Sequence, residues 1–167
     1  MLGVHSSRHR CRRMKWSKSR GEFTAMTQSG DQSPAVVLLA EDDEINQQIV
    51  RHLLADFPFI DLVIAGDGKV ALEAAISQPF DLMIFDRNMP LISGDRVIRH
   101  LKAARTINTA TPMIQFTADA DRTSTNPRPG DQADAVIPKP IQSEVFRNTV
   151  LRLLGRGVEP EARKIFG

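Results

Sequence analysis

The sequence predicts an α/β domain with a doubly wound parallel sheet covered by helices on both faces. First, short apolar runs alternate with amphipathic segments of helical length, as in consecutive βαβ units. Second, residues 82–85 (LMIF) are apolar at every position, which is typical of a strand buried on both faces. Third, this run ends in Asp86, and the turn residues Pro90 and Gly94 follow it. Asp86 would therefore lie at the carboxyl end of a strand, where open parallel sheets bind their ligands.

The first half of the domain is predicted to run strand, helix, strand, helix. Residues 35–40 (AVVLLA) and 60–65 (IDLVIA) are short apolar runs rich in β-branched side chains, which favour strands. Residues 44–56 and 69–77 place apolar side chains at the spacing of an amphipathic helix. The apolar positions are Ile45, Ile49, Leu53 and Leu54 in the first helix, and Val70, Leu72, Ala74 and Ala75 in the second.

The second half adds three strands and two helices, which completes a five-stranded sheet. Strands are predicted at 81–86, 112–117 (PMIQFT) and 133–137. Helices are predicted at 95–104 and 144–154 from apolar side chains at helical spacing. These are Val97, Ile98 and Leu101 in one helix, and Val145, Phe146, Val150, Leu151 and Leu154 in the other.

One helix is missing from this alternation, between the fourth and fifth strands. Residues 119–131 contain Pro127, Pro129 and Gly130 and almost no apolar side chain. Proline in a helix interior removes a hydrogen bond and clashes with the preceding turn. We therefore predict that the fourth helix is short or disordered, with at most one helical turn followed by an irregular, mobile loop.

Charge is distributed unevenly along the chain. Residues 1–33 carry seven Lys or Arg and two acids, so this tail has a charge of +5 and the remainder has −3. The alkaline pI therefore comes from the tail, and the domain is not expected to bind nucleic acid. Cys11 is the single cysteine, which excludes an internal disulfide. No apolar run approaches the roughly 18 residues of a membrane span, so we predict a cytoplasmic protein.

We divide the chain into a basic disordered tail (1–33), one domain (34–155) and a short C-terminal tail (156–167). Four interpretations of the basic tail stay open. Translation starts at Met26, or the tail is a solvated arm, an arm that binds an anionic partner, or an Arg-rich targeting peptide. The C-terminal tail is too short for a DNA-binding or catalytic output domain, which predicts a stand-alone domain.

Acidic residues follow two of the predicted strands. Glu41, Asp42 and Asp43 come directly after the first strand, and Asp86 ends the third. If these strands are neighbours, the carboxylates meet at one edge, where each pair at ~4 Å repels by about 4 kcal/mol at an effective dielectric near 20. Such a cluster requires a cation, and oxygen ligands with open positions favour Mg²⁺. Asp43 suits an N-cap of the next helix, which leaves Glu41 and Asp42 for the metal.

The fourth and fifth strands end in groups that suit an anion. The hydroxyl of Thr117 can donate a hydrogen bond, and Lys139 brings a positive charge between Pro138 and Pro140. Together with the carboxylates and a divalent cation, these groups form a site for an anion with several oxygens. A phosphoryl group on Asp86 is the simplest such anion.

Four motifs together resemble the receiver domain of two-component response regulators. They are VLLAEDDEIN, FDLMIFDRNMPLISG, PMIQFTADA and VIPKPI, and the resemblance covers about residues 35–154. Spacings of 44, 31 and 22 residues separate Asp42, Asp86, Thr117 and Lys139 in turn and are similar to those of the family. The resemblance implies a flavodoxin-like sheet in the order 2-1-3-4-5.

The resemblance also implies roles for individual residues. Glu41 and Asp42 would bind Mg²⁺, Asp86 would be the phosphoacceptor and a ligand, Asn88 would offer its backbone carbonyl to the metal, and Thr117 and Lys139 would contact the phosphoryl group. The phosphate would come from a histidine kinase or a histidine phosphotransfer protein, which faces helix 44–56 and the loop after Lys139. Output would pass to a downstream protein target. No enzymatic activity is expected beyond phosphotransfer to itself and autodephosphorylation.

Two features depart from the family pattern. Val136 stands where the family usually has an aromatic residue coupled to the threonine hydroxyl, and the degraded segment 119–131 replaces a helix that often moves on activation. We therefore hypothesise that phosphorylation orders the 119–131 loop instead of rotating an aromatic ring.

Two alternative functions stay open. Residues 66–71 (GDGKVA) match the dinucleotide-binding pattern G-x-G-x-x-A, and Asp86 lies 20 residues after Gly66, where a ribose-binding acid is expected. The glycines also suit an ordinary turn from strand to helix. The other alternative is a pseudo-receiver that binds partners and is never phosphorylated.

Overall fold

The computed structural model describes residues 34–119 and 125–156. Within these residues, five strands and four helices alternate, except that β4 leads to β5 without a helix. The elements are β1 (Ala35–Ala40), α1 (Glu44–Leu54), β2 (Ile60–Ala65), α2 (Gly68–Ser77), β3 (Leu82–Asp86), α3 (Gly94–Ala103), β4 (Met113–Thr117), β5 (Ala135–Pro138) and α4 (Ser143–Leu153).

The strands form one parallel sheet in the order β2-β1-β3-β4-β5. This confirms the predicted doubly wound α/β fold and its strand order. The register aligns the carboxyl ends of the strands, since Ala40 pairs with Phe85, Asp86 with Phe116, and Thr117 with Pro138. Residues that leave these strand ends therefore meet at one edge of the sheet.

Two hydrophobic cores cover the two faces of the sheet. Helices α2 and α3 pack on one face, and α1 and α4 pack on the other. Strand β3 contributes to both cores, because Met83 and Phe85 belong to the first and Leu82 and Ile84 to the second. All five residues of β3 are buried, as the continuous apolar run predicted.

The predicted apolar face of α1 is partly wrong. Ile45 and Ile49 are 70% and 41% exposed, whereas Val50, Leu53 and Leu54 are buried against the sheet. Both sets have helical spacing and share Leu53 and Leu54, so periodicity does not distinguish them. The position of α1 on the sheet decides that Val50 points inward.

The connection from β4 to β5 contains no helix within its described part. Residues 125–134 form bends and turns, in agreement with the prediction, while the expected helical turn at its start falls largely on residues 120–124, outside the described residues. Asp134 ties this connection to the sheet, because its carboxylate accepts a hydrogen bond from the Met113 backbone N–H at 2.8 Å and pairs with Lys102 at 3.0 Å. The predicted terminal tails also lie outside the described residues, apart from Arg156.

Gly94 lets α3 begin directly against the backbone of β3. A Cβ at this position would lie 2.1 Å from the carbonyl oxygen of Asp86, far inside van der Waals contact. The backbone N–H of Gly94 donates to the carbonyl of Arg87 at 3.1 Å. The close approach therefore places the start of α3 beside the end of β3.

Gly94→Ala is expected to lower the free energy of unfolding by about 1–3 kcal/mol, because the added methyl group forces α3 away from β3. Gly66→Ala is the matched control, since a Cβ there meets nothing within 4 Å, and a change below about 0.5 kcal/mol is expected. Urea unfolding of both variants measures the difference. Equal effects of the two substitutions would contradict the close-packing argument.

Candidate functional site

Three carboxylates meet at the carboxyl end of the sheet. Glu41 and Asp42 follow β1, Asp86 ends β3, and one oxygen from each lies within 4.8 Å of the others. Glu41 and Asp86 are buried, whereas Asp42 is exposed. These three acids are the ones that the sequence proposed for a metal, and their oxygen donors suit a hard divalent cation.

Lys139 brings a positive charge into this cluster from the end of β5. Its Nζ lies 2.9 Å from Oε2 of Glu41 and 3.1 Å from Oδ1 of Asp86. Its backbone N–H donates to the carbonyl of Thr117 at 2.7 Å, which holds the start of the following loop against the end of β4. The ammonium group thus bridges the two buried carboxylates, and its own side chain is only 24% exposed.

Two polar residues of α1 support Glu41, and the sequence analysis missed both of them. The side-chain amide of Asn46 donates to Oε1 of Glu41 at 3.2 Å, and the amide of Gln47 donates to the Glu41 carbonyl at 2.7 Å. The sequence signal that could have revealed them is the pair of amide side chains, Asn46 and Gln47, shortly after the acidic residues 41–44. Asp43 caps α1, because its Oδ1 accepts hydrogen bonds from the N–H groups of Ile45 and Asn46 at 2.7 and 3.2 Å.

Burial and neighbouring charges shift the pKa values of Glu41 and Lys139. Burial raises the pKa of the Glu41 carboxyl above its ordinary value, and the charge of Asp86 adds to this, while Lys139 opposes it. Burial alone would lower the pKa of Lys139, but the hydrogen bond to Glu41 and the charges of Asp86 and Glu41 outweigh it, so this pKa is raised. Lys139 therefore remains a cation at neutral pH.

Thr117 lies at the end of β4, one residue beyond the partner of Asp86 in the sheet. Its side chain is buried, and its Oγ1 accepts a hydrogen bond from the backbone N–H of Asp119 at 3.2 Å. Asn88 is exposed two residues after Asp86, and none of the described contacts joins its side chain to the carboxylates. Val136 is buried in β5 beside Gln115.

The glycine motif at 66–71 has a structural explanation. Asp67 caps α2 through hydrogen bonds from the N–H groups of Lys69 and Val70, each 2.8 Å long. A Cβ at Gly68 would lie 1.8 Å from the carbonyl oxygen of Ile92, so this position requires glycine. The motif follows β2, an edge strand. Packing and capping therefore account for the residues that suggested a dinucleotide site.

None of the helices in residues 34–119 and 125–156 combines the length and apolar character needed to cross a membrane.

Comparison with known proteins assigns the fold and its relatives. The family model described as the response regulator receiver domain matches residues 37–151. The chemotaxis protein CheY of Pseudomonas aeruginosa is 26% identical over 120 residues, which cover 72% of this chain and 96% of that protein. The autoinducer 2 sensor kinase/phosphatase LuxQ of Vibrio vulnificus is 29% identical over 115 residues, 69% of this chain but 13% of that kinase.

Solved structures show the same fold. Chemotaxis response regulator CheY4 of Vibrio cholerae superposes with a TM-score of 0.62 at 27% identity, covering 72% of this chain and 99% of CheY4. The receiver domain of sensor histidine kinase PA1611 from Pseudomonas aeruginosa superposes with a TM-score of 0.64 at 22% identity. The match covers 74% of this chain and 99% of that domain. That domain was crystallised with a magnesium ion coordinated in its active site cleft.

Lys139→Met is expected to lower the free energy of unfolding by about 2 kcal/mol at pH 8, because Glu41 and Asp86 then lose their shared cation. The loss should shrink as the pH falls. The pKa of Glu41 is higher in the folded than in the unfolded state, so the folded protein takes up a proton there first. Urea unfolding between pH 8 and pH 5 measures this trend.

Lys102→Met is the control for this prediction. Lys102 also forms a 3.0 Å ion pair and is similarly exposed, but its partner Asp134 is a single, 40% exposed acid. Its loss is expected to stay below about 1 kcal/mol, with little change over this pH range. A pH-independent loss for Lys139→Met would contradict the charge-bridging role.

Proposed function

The chain belongs to the response regulator receiver domain family, and from this membership we propose that it accepts a phosphoryl group on Asp86 and signals through protein contacts. One observation carries the proposal. The ammonium group of Lys139 lies 3.1 Å from the Asp86 carboxylate, inside a cluster that also contains Glu41 and Asp42. An acid, a fixed cation and a candidate metal site thus converge at the end of β3.

The proposed reaction is transfer of a phosphoryl group from a phosphohistidine. An oxygen of the Asp86 carboxylate attacks phosphorus, and a new O–P bond forms while the N–P bond breaks. The electron pair of that bond remains on the imidazole nitrogen, which takes up a proton. Asp86 is suited to this role because it is held rigidly in the buried β3 strand and lies beside a cation.

Lys139 and Thr117 are the proposed contacts to the phosphoryl group. The ammonium group of Lys139 already lies at Asp86 and can follow the charge as it moves onto the phosphoryl oxygens. The hydroxyl of Thr117 belongs to the neighbouring strand and can donate its proton to one of these oxygens. Val136 offers no ring that could pack behind this hydroxyl, so ordering of the 119–131 loop remains our hypothesis for the response.

The carboxylates fit a magnesium ion. Three acidic side chains each place an oxygen within 4.8 Å of the others, and Lys139 is the one cation paired with them among the described residues, so negative charge exceeds positive charge in the cluster. Glu41, Asp42 and Asp86 would hold the ion, together with the backbone carbonyl of Asn88. Bound there, Mg²⁺ would neutralise charge on the transferring phosphoryl group.

The proposed partners follow from the phosphohistidine chemistry and the exposed surface of α1. A histidine kinase or a histidine phosphotransfer protein would supply the phosphate. Ile45 and Ile49 are exposed apolar side chains on α1, close in sequence to the acidic residues, and the loop after Lys139 lies at the same edge of the sheet. This surface is the proposed contact for the donor, and a downstream protein would read the phosphorylated state. The protein's own chemistry would be limited to phosphotransfer and autodephosphorylation.

Incubation with Mg²⁺ and acetyl phosphate is expected to add one phosphoryl group to the parent protein and none to Asp86→Ala, because the acceptor oxygen is then missing. Intact-mass analysis measures the adduct. Asp61→Asn is the matched control, since Asp61 is an exposed acid on the edge strand β2, and this variant should react like the parent. A folded parent that binds Mg²⁺ but gains no adduct would instead indicate a pseudo-receiver.

Asp42→Asn is expected to raise the free energy of unfolding without divalent ions by up to about 1 kcal/mol, because it relieves repulsion among the three carboxylates. Added Mg²⁺ should stabilise the parent protein and stabilise this variant much less, since binding to the folded state adds to stability. Urea unfolding with and without Mg²⁺ measures both effects, with Asp61→Asn as control. An equal Mg²⁺ response in all three proteins would place the metal elsewhere.

A further inference from the structure

A second concave site lies on the α3 side of the sheet, apart from the carboxylate cluster. Its cavity has a volume of about 140 Å³ and lies between α3, the residue after the acceptor, strand β4 and residues 130–133. Ile98 and Ala133 provide its apolar lining. A buried cavity of about 150 Å³ accommodates benzene, so this one has room for a molecule of about six non-hydrogen atoms.

Gln115 lines this cavity with an unused hydrogen-bond donor. The residue is 6% exposed, and its side-chain Nε2 has no hydrogen-bond partner within the described part of the chain. Gln115 is a polar residue on a strand face where its neighbour Met113 belongs to the hydrophobic core. Buried side-chain donors are nearly always paired, so a buried amide left without a partner indicates a missing ligand or water.

Arg87 brings the second unused donor to the cavity. It follows Asp86, and its backbone N–H donates to the carbonyl of Phe116 at 3.1 Å, which places it beside β4. Its guanidinium forms no ion pair with the described residues, although it lines the same cavity as Gln115. Arg87 therefore adds a guanidinium whose donors are not used by an ion pair with a described residue. Together with Arg99 it balances the charges of Asp95 and Asp131, which also line the cavity.

The other charged groups of the cavity already have partners. Arg99 pairs with Asp95 at 3.7 Å along α3, and the carboxylate of Asp131 accepts a hydrogen bond from the Arg128 backbone N–H at 2.6 Å. The groups left over are thus a guanidinium and an amide N–H₂, and both are donors. A ligand that matches them must supply acceptor oxygens, and a negatively charged oxygen forms the strongest hydrogen bonds with a guanidinium.

We propose that this cavity binds a small oxyanion, either a carboxylate or a phosphate, through Arg87 and Gln115. A water molecule would accept a hydrogen bond from the Gln115 amide, whereas an oxyanion between the two side chains would accept from both the amide and the guanidinium. The cavity lies beside residues 130–133, in the connection whose described part forms bends and turns and not a helix.

The site lies close to the acceptor strand but does not depend on phosphorylation. Arg87 is bonded directly to Asp86, and Gln115 precedes Thr117 by two residues on β4. The cavity lining includes none of the residues that carry the proposed phosphotransfer. Binding itself can be measured without Mg²⁺ or a phosphate donor, so failure of one proposal leaves the other intact.

Titration of the full chain with sodium acetate and, separately, with inorganic phosphate tests the proposal by NMR. Saturable shifts are expected for the Gln115 side-chain amide and the Arg87 Nε–H. Gln115→Met, which keeps the side-chain length without the donor, and Arg87→Gln should each weaken binding at least tenfold. Arg96→Gln removes a charge from an exposed position on α3, the helix beside the cavity, at a residue that does not line it, and should leave binding unchanged.

Acetamide is the neutral control for acetate, because it has a similar shape and no charge. Whichever of acetate and phosphate binds more tightly identifies the class of ligand. The proposal is overturned if neither anion gives saturable shifts, if acetamide binds as well as acetate, or if Arg96→Gln weakens binding as much as Arg87→Gln. Each of these results would mean that water alone occupies the cavity or that the anions respond to general surface charge. If Gln115→Met does not fold, Arg87→Gln still tests the proposal, because Arg87 is exposed and its substitution should not affect folding.

Discussion

The contact of Lys139 with Glu41 and Asp86 is the interaction on which the site depends. Two buried carboxylates with an exposed third beside them would repel strongly, and the ammonium group between them makes their burial tolerable. Glu41, Asp86 and Lys139 come from the ends of β1, β3 and β5, so the ion cluster joins strands across the sheet. The same arrangement leaves an excess of negative charge that favours a divalent cation, so a single set of contacts serves both the stability and the proposed chemistry of the domain.

The sheet holds this cluster in place because β3 is packed from both sides. Its side chains alternate between the core under α2 and α3 and the core under α1 and α4, so Asp86 ends a strand that is closely packed on both faces. Gly94 tightens the same region by bringing the start of α3 against the Asp86 carbonyl. Asp86 is therefore positioned by backbone packing, and Glu41, Asp42 and Lys139 set the charge around it.

The region between β4 and β5 departs most from a regular alternation of strands and helices. Its described part forms turns instead of a helix, and Asp134 anchors these turns to β4. The cavity that we propose to bind an oxyanion lies beside Gln115 in the same region. A buried valine at position 136 replaces the ring that the family pattern leads one to expect. Of residues 125–134, only Ala133 belongs to a hydrophobic core, so few apolar contacts hold the described part of this connection.

Sequence alone determined the order of elements, the buried strand at Asp86 and the acids that would converge, because periodicity, turn residues and strand ends are local properties of the chain. The strand order came only from likeness to a family, since local patterns do not specify which strands pair. Tertiary structure decided that Val50 and not Ile49 faces the core, that Asn46 and Gln47 support Glu41, and that Gln115 is left without a partner. Each of these depends on which distant segment packs against a residue, and that information arises only when the sheet and its helices are assembled.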